Sequence, residues 1–256
     1  MTQHYWVLSV PGGKLSLMEF SEGTPCWVQL LTPDAAAAKR FYGGLFGWTF
    51  DERGAWAVCL DGTRPVAQIT QAPGEAWEVY LTTPDLAAAA ARVPAAGGTL
   101  LEEPFDVPGH GHYARAADPA GTPFVLWQPR EFTGGGVHWL DLNTRDGERI
   151  DAFYAAVLSY DPHPAAGDYT LWHSGGRPVA GRLEMNDAEW AGVPEHWMTY
   201  FAVADVDSVA SLVEDLGGTV GHGPVASPHG RLAIIGDPTG IPFTAITPTQ
   251  PTTPPT

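Results

Sequence analysis

Two histidines stand at matching places in this chain. His110 and His229 each lie eight residues before the Asp of an Asp-Pro-x-Gly turn, at Asp118 and Asp237, and each is followed by glycine. Imidazole is the side chain best suited to proton transfer near neutral pH. A histidine on a glycine-bearing loop at a cavity rim could do such work; two exposed loop histidines are the plain alternative. Glu78 and Asp141 sit within short apolar runs, Trp77-Glu78-Val79-Tyr80 and Trp139-Leu140-Asp141-Leu142. A carboxyl in an apolar cavity tends toward a raised pKa and exchanges protons near neutrality. Either residue could also be solvated at a wide cavity mouth. Tyr80 and Tyr200 recur at corresponding places and suit pocket hydroxyls or a shared core role. No phosphate-binding loop, paired CxxC, HExxH or GxSxG nucleophile elbow is present.

Composition narrows the partners. Apolar residues make up 44% of the 256 and charged ones 16%, enough to bury real cores and too apolar for a disordered chain. Thirteen basic residues against 29 acidic ones give a net charge of −16, which repels phosphate backbones and anionic lipid. Nucleic-acid and membrane partners are therefore not expected. No apolar run reaches the roughly 18 residues a membrane helix needs, and Met1–Phe20 lacks the basic start of a secretory signal. Cys26 and Cys59 fit a reducing cytoplasm better than a disulfide scaffold.

The elements that must position these residues are written twice. Trp27, Thr32, Asp34 and Phe41-Tyr42 recur at one constant interval as Trp139, Thr144, Asp146 and Phe153-Tyr154. Arg64-Pro65-Val66-Ala67 returns as Arg177-Pro178-Val179-Ala180, and Gly97-Gly98-Thr99 as Gly217-Gly218-Thr219. So many matches in one order mark a duplication. Each half reads as strand, Asp-capped helix and short strands, done twice. The first helix runs through about Leu45 and stops at Gly47. Strands follow near 55–60, 66–70, 79–83, 113–117 and 124–127. The expected division is an N-terminal arm over 1–23, domains over 24–131 and 137–248, a Gly-rich linker over 132–136 and a disordered tail over 249–256.

The run from Trp27 through Asp34, Phe41-Tyr42 and Gly47-Trp48, with the Asp-Pro-x-Gly-x-Pro-Phe segments at Asp118 and Asp237, resembles the vicinal-oxygen-chelate superfamily. That group holds the glyoxalases, bleomycin-resistance proteins and extradiol dioxygenases, and the flavour here is similar to tandem glyoxalase-like proteins of actinobacteria. The resemblance implies an α+β fold of four βαβββ modules making two half-barrel cavities. In metal-using members, side chains from four strands hold a divalent ion. Carried over, those positions fall on Trp27, Glu78, Val125 and a fourth place near Gln68 in the first half. In the second they fall on Trp139, Met198, Thr244 and Gly181. Indole, isopropyl and thioether groups do not hold such an ion, so the resemblance comes with no expected metal or other cofactor.

Strand alternation then sorts the faces. Gln29 shares the cavity face with Trp27, Tyr80 with Glu78, Asp141 and Asn143 with Trp139, and Tyr200 with Met198. Trp27 and Trp139 serve either as structural plugs or as stacking platforms. The expected catalytic groups are Glu78, His110, Tyr80, Asp141 and His229. The expected ligand-binding set is Trp27, Gln29, Val125, Trp139, Met198, Tyr200 and Thr244. Together they suggest metal-independent isomerisation, cyclisation or dehydration of a hydrophobic aromatic or polyketide-like metabolite. The alternative from another class is a protein that sequesters such a molecule without turning it over. Glu78 with Tyr80 and His110 makes the first half the favoured pocket.

Overall fold

The computed structural model describes residues 21–74, 76–130, 135–186 and 188–249. The expected N-terminal arm up to residue 20, most of the linker, and the tail from 250 lie outside them.

Each module opens with an apolar strand and an Asp that caps a helix. β1 (Pro25–Thr32) leads to Asp34, whose carboxylate accepts the Ala37 N–H at 2.8 Å and starts α1 (Ala35–Phe46). Gly47 ends that helix in the left-handed region at φ +72°, where a residue without a Cβ is unstrained. β2 (Thr49–Glu52), β3 (Trp56–Asp61) and β4 (Arg64–Gln71) complete the first module. The second has β5 (Ala76–Thr82), α2 (Leu86–Ala95) capped by Asp85, β6 (Thr99–Val107), β7 (Gly111–Ala117) and β8 (Pro123–Pro129). The third has β9 (Val137–Thr144), α3 (Gly147–Leu158) capped by Asp146, β10 (Asp161–Pro164), β11 (Tyr169–Ser174) and β12 (Arg177–Glu184). The fourth has β13 (His196–Ala202), α4 (Val206–Val213) capped by Asp205, β14 (Thr219–Ser227), β15 (Gly230–Gly236) and β16 (Pro242–Pro248).

In every module the first strand pairs parallel with the last, as in β1 with β4 and β9 with β12, and the others pair antiparallel. The strand orders are β2-β3-β4-β1-β5-β8-β7-β6 and β10-β11-β12-β9-β13-β16-β15-β14. This is the duplicated βαβββ architecture. Strand β6 had no apolar signature: Glu102, Glu103 and Pro104 interrupt it. It lies at a sheet edge, where charges and proline are tolerated because one side needs no partner. β2, at the opposite edge, is short and largely polar for the same reason.

Compactness groups the modules differently. The described parts of Met1–Trp27, Glu78–Gly134 and Trp139–Trp197 form one unit, and those of Val28–Trp77, Gly135–His138 and Met198–Thr256 form the other. The repeated motifs find their purpose inside these units. In the first, Phe124 packs edge-on to Phe153 and against Tyr154, while the Tyr154 hydroxyl lies 3.5 Å from Asp118 Oδ2. In the second, Phe243 meets Phe41 and Tyr42, and Tyr42 donates to Asp237 at 3.3 Å. The second glycine of each Gly-Gly-Thr is needed for this packing. A Cβ on Gly98 would stand 2.6 Å from the Phe153 ring, and one on Gly218 would stand 2.6 Å from Phe41.

Candidate active site

β9 presents Trp139, Asp141 and Asn143 on one face and the fully buried Leu140 and Leu142 on the other, the alternation a strand imposes. At the start of β11, the Tyr169 hydroxyl donates to Asp141 Oδ1 at 2.6 Å. The Trp139 indole N–H donates to the same oxygen at 2.8 Å and lies 3.0 Å from the Tyr169 oxygen. Gly181 of β12 is the register partner of Asp141. A Cβ at 181 would overlap both the Tyr169 hydroxyl and Asp141 Oδ1. A mid-strand glycine weakens a sheet, and here it leaves the lane through which the phenol reaches the carboxylate.

Burial pushes the Tyr169 phenol up, and the neighbouring Asp141 adds to the rise. The hydroxyl therefore stays protonated at neutral pH and acts as a donor. Asp141 is only 6% exposed, beneath the half-buried rings of Trp139 and Tyr169. Further along β9, Asn143 Nδ2 lies 3.0 Å from His196 Nε2, and His196 Nδ1 lies 2.8 Å from the Pro194 carbonyl. A carbonyl only accepts, so Nδ1 carries the proton and Nε2 accepts from Asn143. Burial lowers the His196 pKa and keeps the ring neutral. The arrangement can take a proton at Asp141, and the Tyr169 O–H, on leaving Asp141 Oδ1, can donate to an adjacent oxygen.

The first-half candidates are arranged otherwise. Glu78 is 1% exposed and accepts the Arg115 Nε–H at 2.5 Å. Burial raises its carboxyl pKa and Arg115 offsets part of the rise. Tyr80, Val125 and Arg115 stand in one row across β5, β8 and β7, with Thr82, Trp127 and Tyr113 in the next row but one. His110 lies beyond Gly111, past the C-terminal end of β5, whereas Glu78 lies near its start. At ~3.3 Å per residue, the register holds them roughly 20 Å apart along the strands. His110 therefore cannot complete a Glu78 pocket, since β6 and β7 extend their hairpin away from that carboxylate.

Gln29 and Gln68 are register partners joined at 3.2 Å, and Gln68 also donates to Thr70 at 2.9 Å. Tyr200 pairs in register with Thr244, with Met198 buried two residues before it. His229 is exposed in the turn between β14 and β15. Arg115 and Tyr169 escaped the sequence reading because each meets its carboxylate from another strand. The alternation in Tyr113-Ala114-Arg115 and in Tyr169-Thr170-Leu171 was the available signal.

The donor set does not fit a divalent ion. Glu78 already faces a guanidinium, Gln68 is tied into an amide chain, and the Tyr169 hydroxyl fills the space beside Gly181. Among the described residues, no three His, Cys, Asp or Glu side chains converge as ligands.

A family model described as a glyoxalase-like domain matches residues 27–127. The chain is 34% identical to the anthracycline biosynthesis protein DnrV of Streptomyces peucetius, over 90% of this chain and 95% of that protein. It is 33% identical to CFP32 of Mycobacterium tuberculosis, over 90% and 97% of the two chains. The fold is similar to that of the Mn(II)-bound glyoxalase from Novosphingobium aromaticivorans. There the TM-score is 0.66 at 18% identity, over 89% of this chain and 82% of that one.

Proposed function

Because this chain belongs to the glyoxalase-like family of the vicinal-oxygen-chelate superfamily, we propose that it is a metal-independent enzyme of secondary metabolism, moving a proton on an aromatic, polyketide-like metabolite. The observation that carries this reading is the Tyr169–Asp141–Trp139 cluster, a shielded carboxylate with a protonated phenol on one of its oxygens. The likeness to an anthracycline biosynthesis protein supports a polycyclic aromatic substrate class.

In the step proposed, the Asp141 carboxylate takes a proton from carbon beside a substrate carbonyl. The C–H electron pair moves into the new C=C bond, and negative charge grows on the carbonyl oxygen. As Asp141 takes up the proton, the Tyr169 O–H leaves Asp141 Oδ1 and donates to that oxygen instead, stabilising the developing oxyanion. Return of the proton at another carbon gives isomerisation. Alternatively the enolate pair forms a C=C bond as the β C–O bond breaks, and the departing hydroxyl takes the proton from Asp141 and leaves as water, giving dehydration. Trp139, partly exposed above the carboxylate, offers a face for ring stacking.

The test needs no knowledge of the final product. Hydroxylated polyketide ketones are incubated with the protein in D2O, and exchange at the carbon beside the carbonyl is followed by NMR. Asp141→Asn should slow exchange by ~10² or more, with Glu78→Gln near wild type. Exchange unaffected by Asp141→Asn sinks the assignment. Binding with no exchange on any ketone returns the protein to sequestration.

A further inference from the structure

Between the end of α1 and the start of α4 runs an open groove of about 570 Å³, with every lining residue inside the second compact unit. Its buried members make an aromatic floor: Phe46, Trp48 and Phe201 form a triangle with ring centroids 4.9 to 5.4 Å apart. Phe201 follows Tyr200 on β13, so it faces the helices, on the opposite side of the strand from Met198 and Tyr200. One wall is a row on α4. Asp205, Ser208 and Leu212 recur at the three- and four-residue spacing of a single helix face. Leu212 is 45% exposed, which carries the apolar surface of the floor outward. The rim is acidic. Asp61 and Asp205 line it, and Glu214 and Asp215 stand exposed just beyond Leu212. Arg64 is the one basic residue among those lining the groove, and Asp61 holds it at 3.0 Å. An apolar centre inside a charged rim is the build of an interaction surface.

We propose that this groove docks an amphipathic helical segment of a partner protein, one whose apolar side chains are flanked by Lys or Arg. Complementarity carries the assignment. The aromatic floor and Leu212 take the apolar anchors, as in other helix-in-groove contacts. Asp61, Asp205, Glu214 and Asp215 face the basic flanks and steer their approach. A second copy of this chain is a poor match, because it carries a net charge of −16 and meets the acidic rim with its own negative field. A groove open along one side also suits a chain segment better than a small molecule, most of whose surface a pocket must bury. The docking is independent of the reaction at Asp141.

Three short synthetic helices separate the contributions: a Leu/Lys amphipath, the same Leu pattern with Glu for Lys, and the same Lys pattern with Ser for Leu. In the ¹⁵N spectrum, the indole N–H resonance that vanishes in Trp48→Phe reports from the groove floor. It should move with the Leu/Lys peptide and stay still with the other two. Leu212→Ser alters an exposed side chain, so the fold is kept, and it should weaken the Leu/Lys peptide about tenfold, as for a central interface anchor. Asp205→Asn keeps the helix cap, since Asn caps as well as Asp, and should flatten the salt dependence of binding. A Trp48 resonance that moves as far with the Ser/Lys peptide, or Leu212→Ser binding as wild type does, reduces the contact to general attraction for an acidic chain and overturns the proposal. A Trp48 resonance that moves with protein concentration alone, alongside a dimer in sedimentation, overturns it in favour of a second copy.

Discussion

Replacing Tyr169 by Phe deletes one oxygen beside Asp141 and leaves the ring. With the phenol held protonated by burial and by the neighbouring carboxylate, its contribution is a donor rather than a charge. Tyr169→Phe should therefore slow exchange by about 10–10³, the cost of one oxyanion-type donor, with an unchanged circular dichroism spectrum. Full activity in this variant would reduce Tyr169 to a prop for Asp141. Trp139 separates two roles by substitution. Trp139→Phe keeps stacking area but loses the 2.8 Å donor to Asp141, whereas Trp139→Ala loses both. Titration with an anthraquinone should show Ala weakened by more than the ~1 kcal/mol of an aromatic contact and Phe by less. At this scale the sequence was half legible. Asp141, Glu78 and their alternating neighbours stood out as polar residues on apolar strands. Arg115 and Tyr169 did not, because an ion pair spanning β5 to β7 and a hydrogen bond spanning β9 to β11 depend on strand order.

At the scale of the element, Gly181 and the Asp-Pro-x-Gly turns make opposite demands. Gly181→Ala adds one methyl where Tyr169 and Asp141 meet. Overpacking of that kind costs about 1–3 kcal/mol. The melting temperature should drop modestly while exchange falls as far as in Tyr169→Phe, because the phenol is displaced. A large drop in stability with exchange retained would contradict the lane argument. The turn at Asp118 is a stability element. Its Oδ1 accepts the Ala120 and Thr122 N–H groups at 2.9 Å each, yet burial dominates and lifts its pKa to about 6. The folded state therefore holds a proton that the unfolded chain, near the ordinary value of 3.8, has released. That contribution is complete below pH 4 and is lost as pH rises through 6. At about 1.4 kcal/mol per pH unit, the loss is on the order of 3 kcal/mol. Denaturant titrations at pH 4, 5, 6 and 7 should show wild type losing stability relative to Asp118→Asn across that window. Parallel curves would mean the carboxyl is ionised throughout. The turns, caps and central strands were readable from local chemistry. Edge strands β2 and β6 were not, since an edge tolerates the Glu and Pro that elsewhere argue against a strand.

For the whole molecule, the duplication announced the two sheets, while the grouping of modules into compact units was invisible, because helix-to-helix packing leaves no periodic trace along the chain. The same duplication sharpens the last prediction, which concerns metals. A repeat carries two versions of the family's ion-binding positions, and the two have diverged in different directions. In one sheet a carboxylate survives at Glu78, with its charge met by Arg115 at 2.5 Å. In the other the carboxylate is Asp141, one strand away from the vacated position at Gly181, and it is occupied by an indole and a phenol. Neither version gathers the three protein ligands a catalytic ion requires. Purified protein analysed for manganese, iron, nickel and zinc should hold well under one equivalent, and adding these ions should not raise its melting temperature, as binding to the folded state alone would. Proton exchange at the substrate ketone should proceed equally in EDTA. One tightly held equivalent, with exchange abolished by the chelator and restored by the ion, would move the chemistry from Asp141 and Tyr169 to a metal.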